Sequence, residues 1–190
     1  MKINELPTPC YVIDENIIEE NCKVLADVMK KTGCHVLLAQ KAFSNYALYP
    51  LIGKYLSGTT ASGLYEARLG REEMGRENHV FAPAYKDEDM DELVKICDHI
   101  VFNSISQLEK HKEKCRNVSI GIRVNPEFST QDGHEIYDPC GKGSRLGVTA
   151  GLLRNADLTG IDGLHFHTLC EQNSDDLKKT LDVVEEKFDF

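Results

Sequence analysis

The sequence lacks the features of a membrane-bound or secreted protein. No apolar run approaches the roughly 20 residues that a membrane-spanning helix needs. Residues 1–6 have neither the apolar core nor the cleavage site of a signal peptide. These absences argue against the membrane and secreted classes.

Positive charge is also scarce in this chain. Its 190 residues include 22 Lys and Arg against 31 Asp and Glu, which gives a formal net charge of −9. An acidic chain without clustered basic residues has no surface that would attract the phosphate backbone of a nucleic acid. A small molecule is therefore the expected ligand.

Paired cysteines and nucleotide-binding glycine motifs are missing too. The seven cysteines form no Cys-x-x-Cys pair and show no zinc-ligand spacing, so we expect reduced thiols in a cytoplasmic protein. The chain contains neither a Gly-x-Gly-x-x-Gly fingerprint nor a P-loop. Nucleotide binding by those two devices is excluded.

The sequence does show a regular alternation of short apolar runs and amphipathic helical runs, which predicts the α/β class. Asp14 is a candidate N-cap for a first helix that Gly33 ends. The predicted strands are residues 10–13, 35–40, 58–62, 79–82, 99–103, 118–124 and 161–167, and the predicted helices include 45–52, 64–74, 87–97, 149–156 and 174–188.

About six strand–helix units follow residue 35, and polar residues stand where the strands end. This predicts a partial (β/α)8 TIM barrel, because the chemistry of such barrels collects at the carboxyl ends of their strands. A whole barrel typically takes about 250 residues, more than this chain has. A doubly wound open sheet is the alternative. Residues 128–143 have no period and are predicted to be a long functional loop.

Lys41 is the sharpest candidate for chemistry. It directly follows a buried strand, where partial desolvation would lower the pKa of its amine and favour Schiff-base formation. The alternative is a lysine that simply ends a strand in solvent.

His165 and His167 lie two apart on a predicted strand, so both rings point to the same side. They could bind a metal, stack on a flat ligand, or be structural histidines. A metal site would need further ligands, and His134 in the long loop is the one candidate.

Three further features could bind or react. Arg123 is flanked by apolar positions, and a buried guanidinium needs an anionic partner, either a ligand or a structural carboxylate. The segment 143–147 could present backbone N–H groups to an anion or be a plain turn. Cys170 is a weak candidate for a thiol nucleophile.

Several motifs of the chain are informative when they are taken together. They are Leu6-Pro-Thr-Pro-Cys-Tyr-Val-Ile-Asp14, Ala39-Gln-Lys-Ala-Phe43, Ala61-Ser-Gly-Leu-Tyr-Glu-Ala-Arg-Leu-Gly70, Ile122-Arg-Val-Asn-Pro126, Tyr137-Asp-Pro-Cys140 with Gly143-Ser-Arg-Leu-Gly-Val148, and Gly163-Leu-His-Phe-His-Thr-Leu-Cys-Glu-Gln172. Their order and spacing resemble the alanine-racemase-like fold-type III pyridoxal-phosphate (PLP) decarboxylases. The last two motifs favour the carboxynorspermidine/carboxyspermidine decarboxylase branch of that family.

The resemblance implies roles for four residues. Lys41 would hold PLP covalently and His167 would stack on its ring. Arg123 would lie near the cofactor, and Cys170 would occupy the place where relatives have a phosphate-contacting serine. The implied reaction is PLP-dependent decarboxylation of a carboxylated polyamine to norspermidine or spermidine, in a homodimer with shared active sites.

The resemblance also implies a domain organisation. Residues 1–14 would supply the first strand of a β-domain, and residues 15–190 the amino-terminal portion of the PLP-binding barrel. The remaining barrel strands, most of the phosphate site and the β-domain would lie beyond residue 190, so activity of the chain alone is in question.

Three alternative functions remain open. They are a diaminopimelate-type amino-acid decarboxylase, a non-catalytic PLP-binding barrel, and a metal-dependent barrel hydrolase that uses His165 and His167.

Overall fold

The structure is a computed structural model that describes residues 3–131 and 135–189. Helices and strands alternate along it. The helices are α1 (Glu15–Thr32), α2 (Tyr49–Ile52), α3 (Leu64–Leu69), α4 (Asp87–Ile96), α5 (Ile105–His111), α6 (Ala150–Leu153) and α7 (Ser174–Phe188). The strands are β1 (Leu37–Ala39), β2 (Gly58–Ala61), β3 (Glu77–Phe81), β4 (His99–Phe102), β5 (Ser119–Asn125), β6 (Val148–Thr149) and β7 (Gly163–His165).

All seven described strands belong to one parallel sheet. Strands β1 to β5 lie side by side in chain order, and β6 and β7 both pair with β5, at its carboxyl and amino ends respectively. A doubly wound sheet would reverse its strand order at a switch point. Consecutive order is instead that of a barrel wall, so the predicted partial (β/α)8 barrel is confirmed.

The core lies between the sheet and the helices. Strand β3 alternates between buried and half-buried positions, and Val80 on its outer side is fully buried. Ile100 and Ile122 take the same place on β4 and β5, and they join one apolar cluster with Met90 and Leu93 of α4. This packing leaves the opposite, inner face of the sheet free to carry polar side chains.

Helix α1 has the ends that the sequence predicts. The carboxylate of Asp14 accepts a hydrogen bond from the backbone N–H of Asn16 at 2.9 Å. At the other end, Gly33 takes a left-handed conformation (φ 76°) and its N–H donates to the carbonyl of Met29 at 2.8 Å. The N-cap and the C-cap therefore end the helix at the positions that the sequence predicts.

Two predicted strands differ from the structure. Residues 10–13 form no strand, and Tyr11, Val12 and Ile13 are exposed. The assignment of residues 1–14 to a β-domain therefore stays a prediction. Strand β7 ends at His165 rather than 167, because the carbonyl of His167 accepts a hydrogen bond from the Arg123 side chain instead of a neighbouring strand.

Candidate active site

A cleft of about 410 Å³ opens at the carboxyl ends of the strands. Four of the residues that the sequence singled out line it, namely Lys41, Arg123, His167 and Cys170. Lys41, Arg123 and the segment that carries His167 and Cys170 are far apart in sequence, but they come together because the carboxyl ends of parallel strands meet at one rim. The other lining residues are Ser62, Phe81, Pro83, Tyr137, Pro139, Leu146, Thr168 and Leu169.

Arg123 is the buried cation of this cleft, with 4% of its surface exposed. Its Nη2 donates to the carbonyl oxygen of His167 at 3.1 Å, and its guanidinium lies 4.9 Å from the centre of the Phe81 ring. It forms no ion pair with the carboxylates of residues 3–131 and 135–189. Burial lowers the pKa of Arg123, yet a guanidinium still stays protonated at neutral pH. The cleft therefore carries a fixed positive charge.

The two histidines lie at different depths. His167 lines the cleft, whereas His165 lies on the inner face of the sheet with its ring 5.0 Å from Phe81, edge to face. Burial, followed by the charges of Lys41 and Arg123, lowers the pKa of His167. Burial, followed by the charges of Arg123 and His167, lowers the pKa of His165 to about 4. Both rings are thus neutral near pH 7.

Lys41 lies on the turn that follows β1 and is exposed. The turn is held by hydrogen bonds from the N–H groups of Ala42 and Phe43 to the carbonyl of Ala39, both at 3.1 Å. The preceding Gln40 is buried and accepts a hydrogen bond from the Tyr49 hydroxyl at 3.1 Å. The prediction that Lys41 is partly desolvated is therefore wrong for the described structure. The hydrogen bonds of the turn nevertheless fix the backbone of Lys41 at the cleft.

Cys170 is exposed. Its carbonyl accepts a hydrogen bond from the amide of Gln131 at 3.4 Å, and its N–H donates to the amide oxygen of Gln172 at 3.4 Å. Gln131 also donates to Gln172 at 3.0 Å. The described hydrogen bonds of Cys170 involve its backbone, and no base contacts its thiol among residues 3–131 and 135–189. The arrangement therefore positions the Cys170 backbone without activating a nucleophile.

The segment 143–147 forms one wall of the cleft but is not an open anion site. The N–H of Leu146 donates to the Ser144 hydroxyl at 3.2 Å, and the N–H of Gly147 donates to the side-chain oxygen of Asn103 at 2.9 Å. The Asn103 amide in turn donates to the carbonyl of Arg145 at 2.9 Å. Of the two alternatives left open for this segment, these bonds favour the turn over the anion site at Leu146 and Gly147, because both N–H groups are already bonded within the protein.

Sequence reasoning missed two members of the cleft. Phe81 supports Arg123 from below, and only its alternation within β3 could have indicated an inward position. Thr168 is 3% exposed, and its hydroxyl finds no hydrogen-bond partner among the described residues. A buried hydroxyl of that kind beside a cleft is a signal of a polar ligand that only the fold can reveal.

The arrangement favours an anionic, flat ligand over a metal ion. The described residues group no carboxylate or further histidine with His165 and His167 at metal-ligand distances, and His134 lies outside the described residues. An exposed amine, a buried guanidinium and a neutral imidazole suit a ligand with a carbonyl, an anionic group and an aromatic ring. No described helix is long and apolar enough to cross a membrane.

Comparison with known proteins shows what the chain is similar to. A curated carboxynorspermidine/carboxyspermidine decarboxylase of Campylobacter jejuni is 43% identical over 188 residues, which span 99% of this chain and 49% of that protein. This chain is similar to carboxynorspermidine/carboxyspermidine decarboxylases along nearly its whole length. The resemblance predicted from the motifs is confirmed. The chain spans about half the length of the curated relatives it matches.

A second relative, the carboxyaminopropylagmatine decarboxylase of Synechocystis, is 37% identical over 189 residues, and the match spans 49% of that protein. Among solved structures, carboxynorspermidine decarboxylase from Campylobacter jejuni, complexed with norspermidine, matches with a TM-score of 0.89 at 42% identity, over 97% of this chain and 47% of that one. A diaminopimelate decarboxylase from M. jannaschi shares the fold with a TM-score of 0.72 at 19% identity, over 98% of this chain and 49% of that one. No family model matches the chain.

Proposed function

We propose that the protein containing this chain is a PLP-dependent decarboxylase of carboxynorspermidine or carboxyspermidine, and that the cleft described above holds the cofactor. The observation that carries the proposal is the convergence of Lys41, Arg123 and His167 on one cleft, in a chain whose 42% identical structural neighbour was solved with norspermidine. The homodimer that the family resemblance implies is part of the same proposal.

The residues present fit PLP. The volume of about 410 Å³ lies within the range of about 300–1,000 Å³ that is common for small-molecule sites. The amine of Lys41 suits the carbonyl group of the cofactor, the charge of Arg123 suits its anionic groups, and the partnerless hydroxyl of Thr168 offers a hydrogen bond beside the cleft. Solved neighbours that share the fold include a decarboxylase described in complex with PLP and cadaverine.

Each side chain would have a distinct task. The Nζ of Lys41 would hold the cofactor covalently and later accept or return a proton at that atom. His167, neutral because its pKa is lowered by burial and by the charge of Lys41, would lie against the flat ring without adding charge. The fixed charge of Arg123 would favour anionic groups in the cleft, and the Cys170 backbone would contact the ligand.

When bound, PLP supplies an electron sink for the electrons left on the α-carbon as carbon dioxide departs. The protein's part is then to orient the carboxylate, exclude water and deliver one proton to the same carbon. The neutral imidazole of His167 and the amine of Lys41 are two groups in this cleft that can move a proton.

The first test is reduction of the protein with borohydride after PLP is added, followed by peptide mapping. We expect an adduct at Lys41 that is lost in Lys41→Ala and retained in Lys86→Ala, whose lysine lies outside the cleft and is 74% exposed. Labelling spread over many lysines, or none, would overturn the assignment of this cleft.

The substrate is tested by measuring carbon dioxide release from three carboxylated amines. We expect release from carboxynorspermidine or carboxyspermidine to exceed release from carboxyaminopropylagmatine and from diaminopimelate. A preference for diaminopimelate would refute the polyamine assignment while leaving the cofactor site intact.

A further inference from the structure

A second polar cluster lies on the inner face of the sheet, at the opposite end of the strands from the cleft. Glu77 begins β3, His79 lies two residues further on the same face, and His99 begins β4. The register pairs His79 with His99 across the two strands. The ring of His35, just before β1, reaches the same carboxylate.

The distances within this cluster are those of a set of metal ligands. One oxygen of Glu77, Oε1, lies 2.9 Å from Nε2 of His79 and 3.2 Å from Nε2 of His99. All three ligand atoms lie within 4.8 Å of one another. Ligands about 2.0–2.2 Å from a tetrahedral zinc ion lie about 3.3–3.6 Å apart. Small rotations of these side chains would widen the 2.9 and 3.2 Å separations to that range.

The surroundings add negative charge. Asp98 acts on His79 and Asp162 acts on His99 through their charges. Asp98 also accepts a hydrogen bond from the N–H of Asn78 at 2.9 Å, which fixes its position at the edge of the cluster. The site is open to entry, because the side chains of Glu77 and His99 are 20% and 38% exposed.

We propose that Glu77, His79 and His99 form a binding site for a divalent transition-metal ion of the zinc type. His35 would orient this site through its hydrogen bond to the second oxygen of Glu77, 2.7 Å away. Imidazole nitrogens select such ions over magnesium and calcium, which prefer oxygen ligands. The site joins the strands β3 and β4 to the segment before β1. It is independent of the decarboxylase proposal and uses none of the residues of the cleft.

Isothermal titration of the metal-free, reduced protein with zinc chloride tests the proposal. We expect one saturable site, and affinity at least about tenfold weaker in Glu77→Gln and in His99→Asn. Both substitutions keep the size and polarity of a partly exposed side chain, so both variants are expected to fold, which circular dichroism would verify. His165→Asn serves as the matched control and should bind zinc like the parent protein.

Exposed cysteines are the competing zinc ligands, above all Cys34 beside His35. Titration with cobalt(II) separates the two cases, because thiolate ligands give an intense charge-transfer band that nitrogen and oxygen ligands lack. Zinc binding that survives Glu77→Gln and His99→Asn but disappears in Cys34→Ser would overturn the proposal. So would the absence of saturable binding.

Discussion

At the scale of single residues, Arg123 sets the electrostatics of the cleft. It is a buried cation whose described contacts are a carbonyl and an aromatic ring rather than a carboxylate. Its charge therefore acts on its neighbours without being neutralised, and it contributes to the lowered pKa of both His165 and His167. A negatively charged ligand would relieve this imbalance.

His165 makes this effect measurable as pH-dependent stability. Its pKa is lowered from 6.5 to about 4 in the folded protein, so between these values the unfolded chain binds more protons. The contribution of His165 to the free energy of unfolding should therefore be fully present above a pH of about 6.5. As the pH decreases towards 4, the free energy of unfolding should fall by about 3 kcal/mol because of this one group.

Urea unfolding of the parent protein and His165→Gln, measured between pH 7 and pH 4, isolates that contribution. Carboxylates such as Asp157, whose pKa is lowered by hydrogen bonds from Thr159 and Lys112, titrate equally in both proteins and cancel in the difference. Parallel pH profiles of the two proteins would contradict the assignment.

How far the sequence could predict the site also depends on single residues. Lys41 and His167 were found because each stands at the end of a predicted parallel strand, and such ends converge. Arg123 was singled out because apolar positions flank it, and Cys170 because it lies just past His167 in a motif of the family. Phe81 was missed because its contact with Arg123 joins strands β3 and β5, which are not neighbours in the sheet. No local pattern encodes a contact of that kind.

At the scale of elements, the pairing of β2 with β3 requires a glycine at position 58. Gly58 and Glu77 are direct partners in the register. A Cβ on Gly58 would lie 1.8 Å from the carbonyl oxygen of Glu77, far inside van der Waals contact. The strands could accommodate a side chain there only by moving apart.

We expect Gly58→Ala to lower the free energy of unfolding by about 1–3 kcal/mol or more, because backbone atoms of β3 cannot yield as a flexible side chain could. Gly151→Ala is the matched control. Gly151 lies in α6 with nothing within 4 Å of the added carbon, so that substitution should stabilise by about 0.5–1 kcal/mol. Urea unfolding followed by circular dichroism measures both, and equal stability of Gly58→Ala and the parent protein would show that β2 can shift freely.

Element prediction succeeded where local signals agree and failed where tertiary contacts decide. The ends of α1 were predictable because Asp14 and Gly33 act within a few residues of the helix. Strand β6 was not predicted, since it has two residues and exists through its pairing with the end of β5. The predicted strand at 10–13 has an apolar pattern but no described partner strand.

At the scale of the whole molecule, the described sheet has an uncovered inner face and two open edges. Strand β1 pairs with β2 alone among the described strands, and β7 pairs with β5 alone. Leu164 of the edge strand β7 is 43% exposed. Open strand edges and exposed apolar side chains are sites where a second chain can pair.

We therefore expect this chain to self-associate through the sheet, with a weight-average sedimentation coefficient that rises with protein concentration. A charge on the open edge should oppose pairing, so Leu164→Lys should shift the protein towards monomer. Leu152→Lys is the control, because Leu152 is 65% exposed on the separate helix α6 and should leave association unchanged. A monodisperse monomer at all concentrations in sedimentation velocity would refute the prediction, and equal effects of the two substitutions would place the contact away from β7.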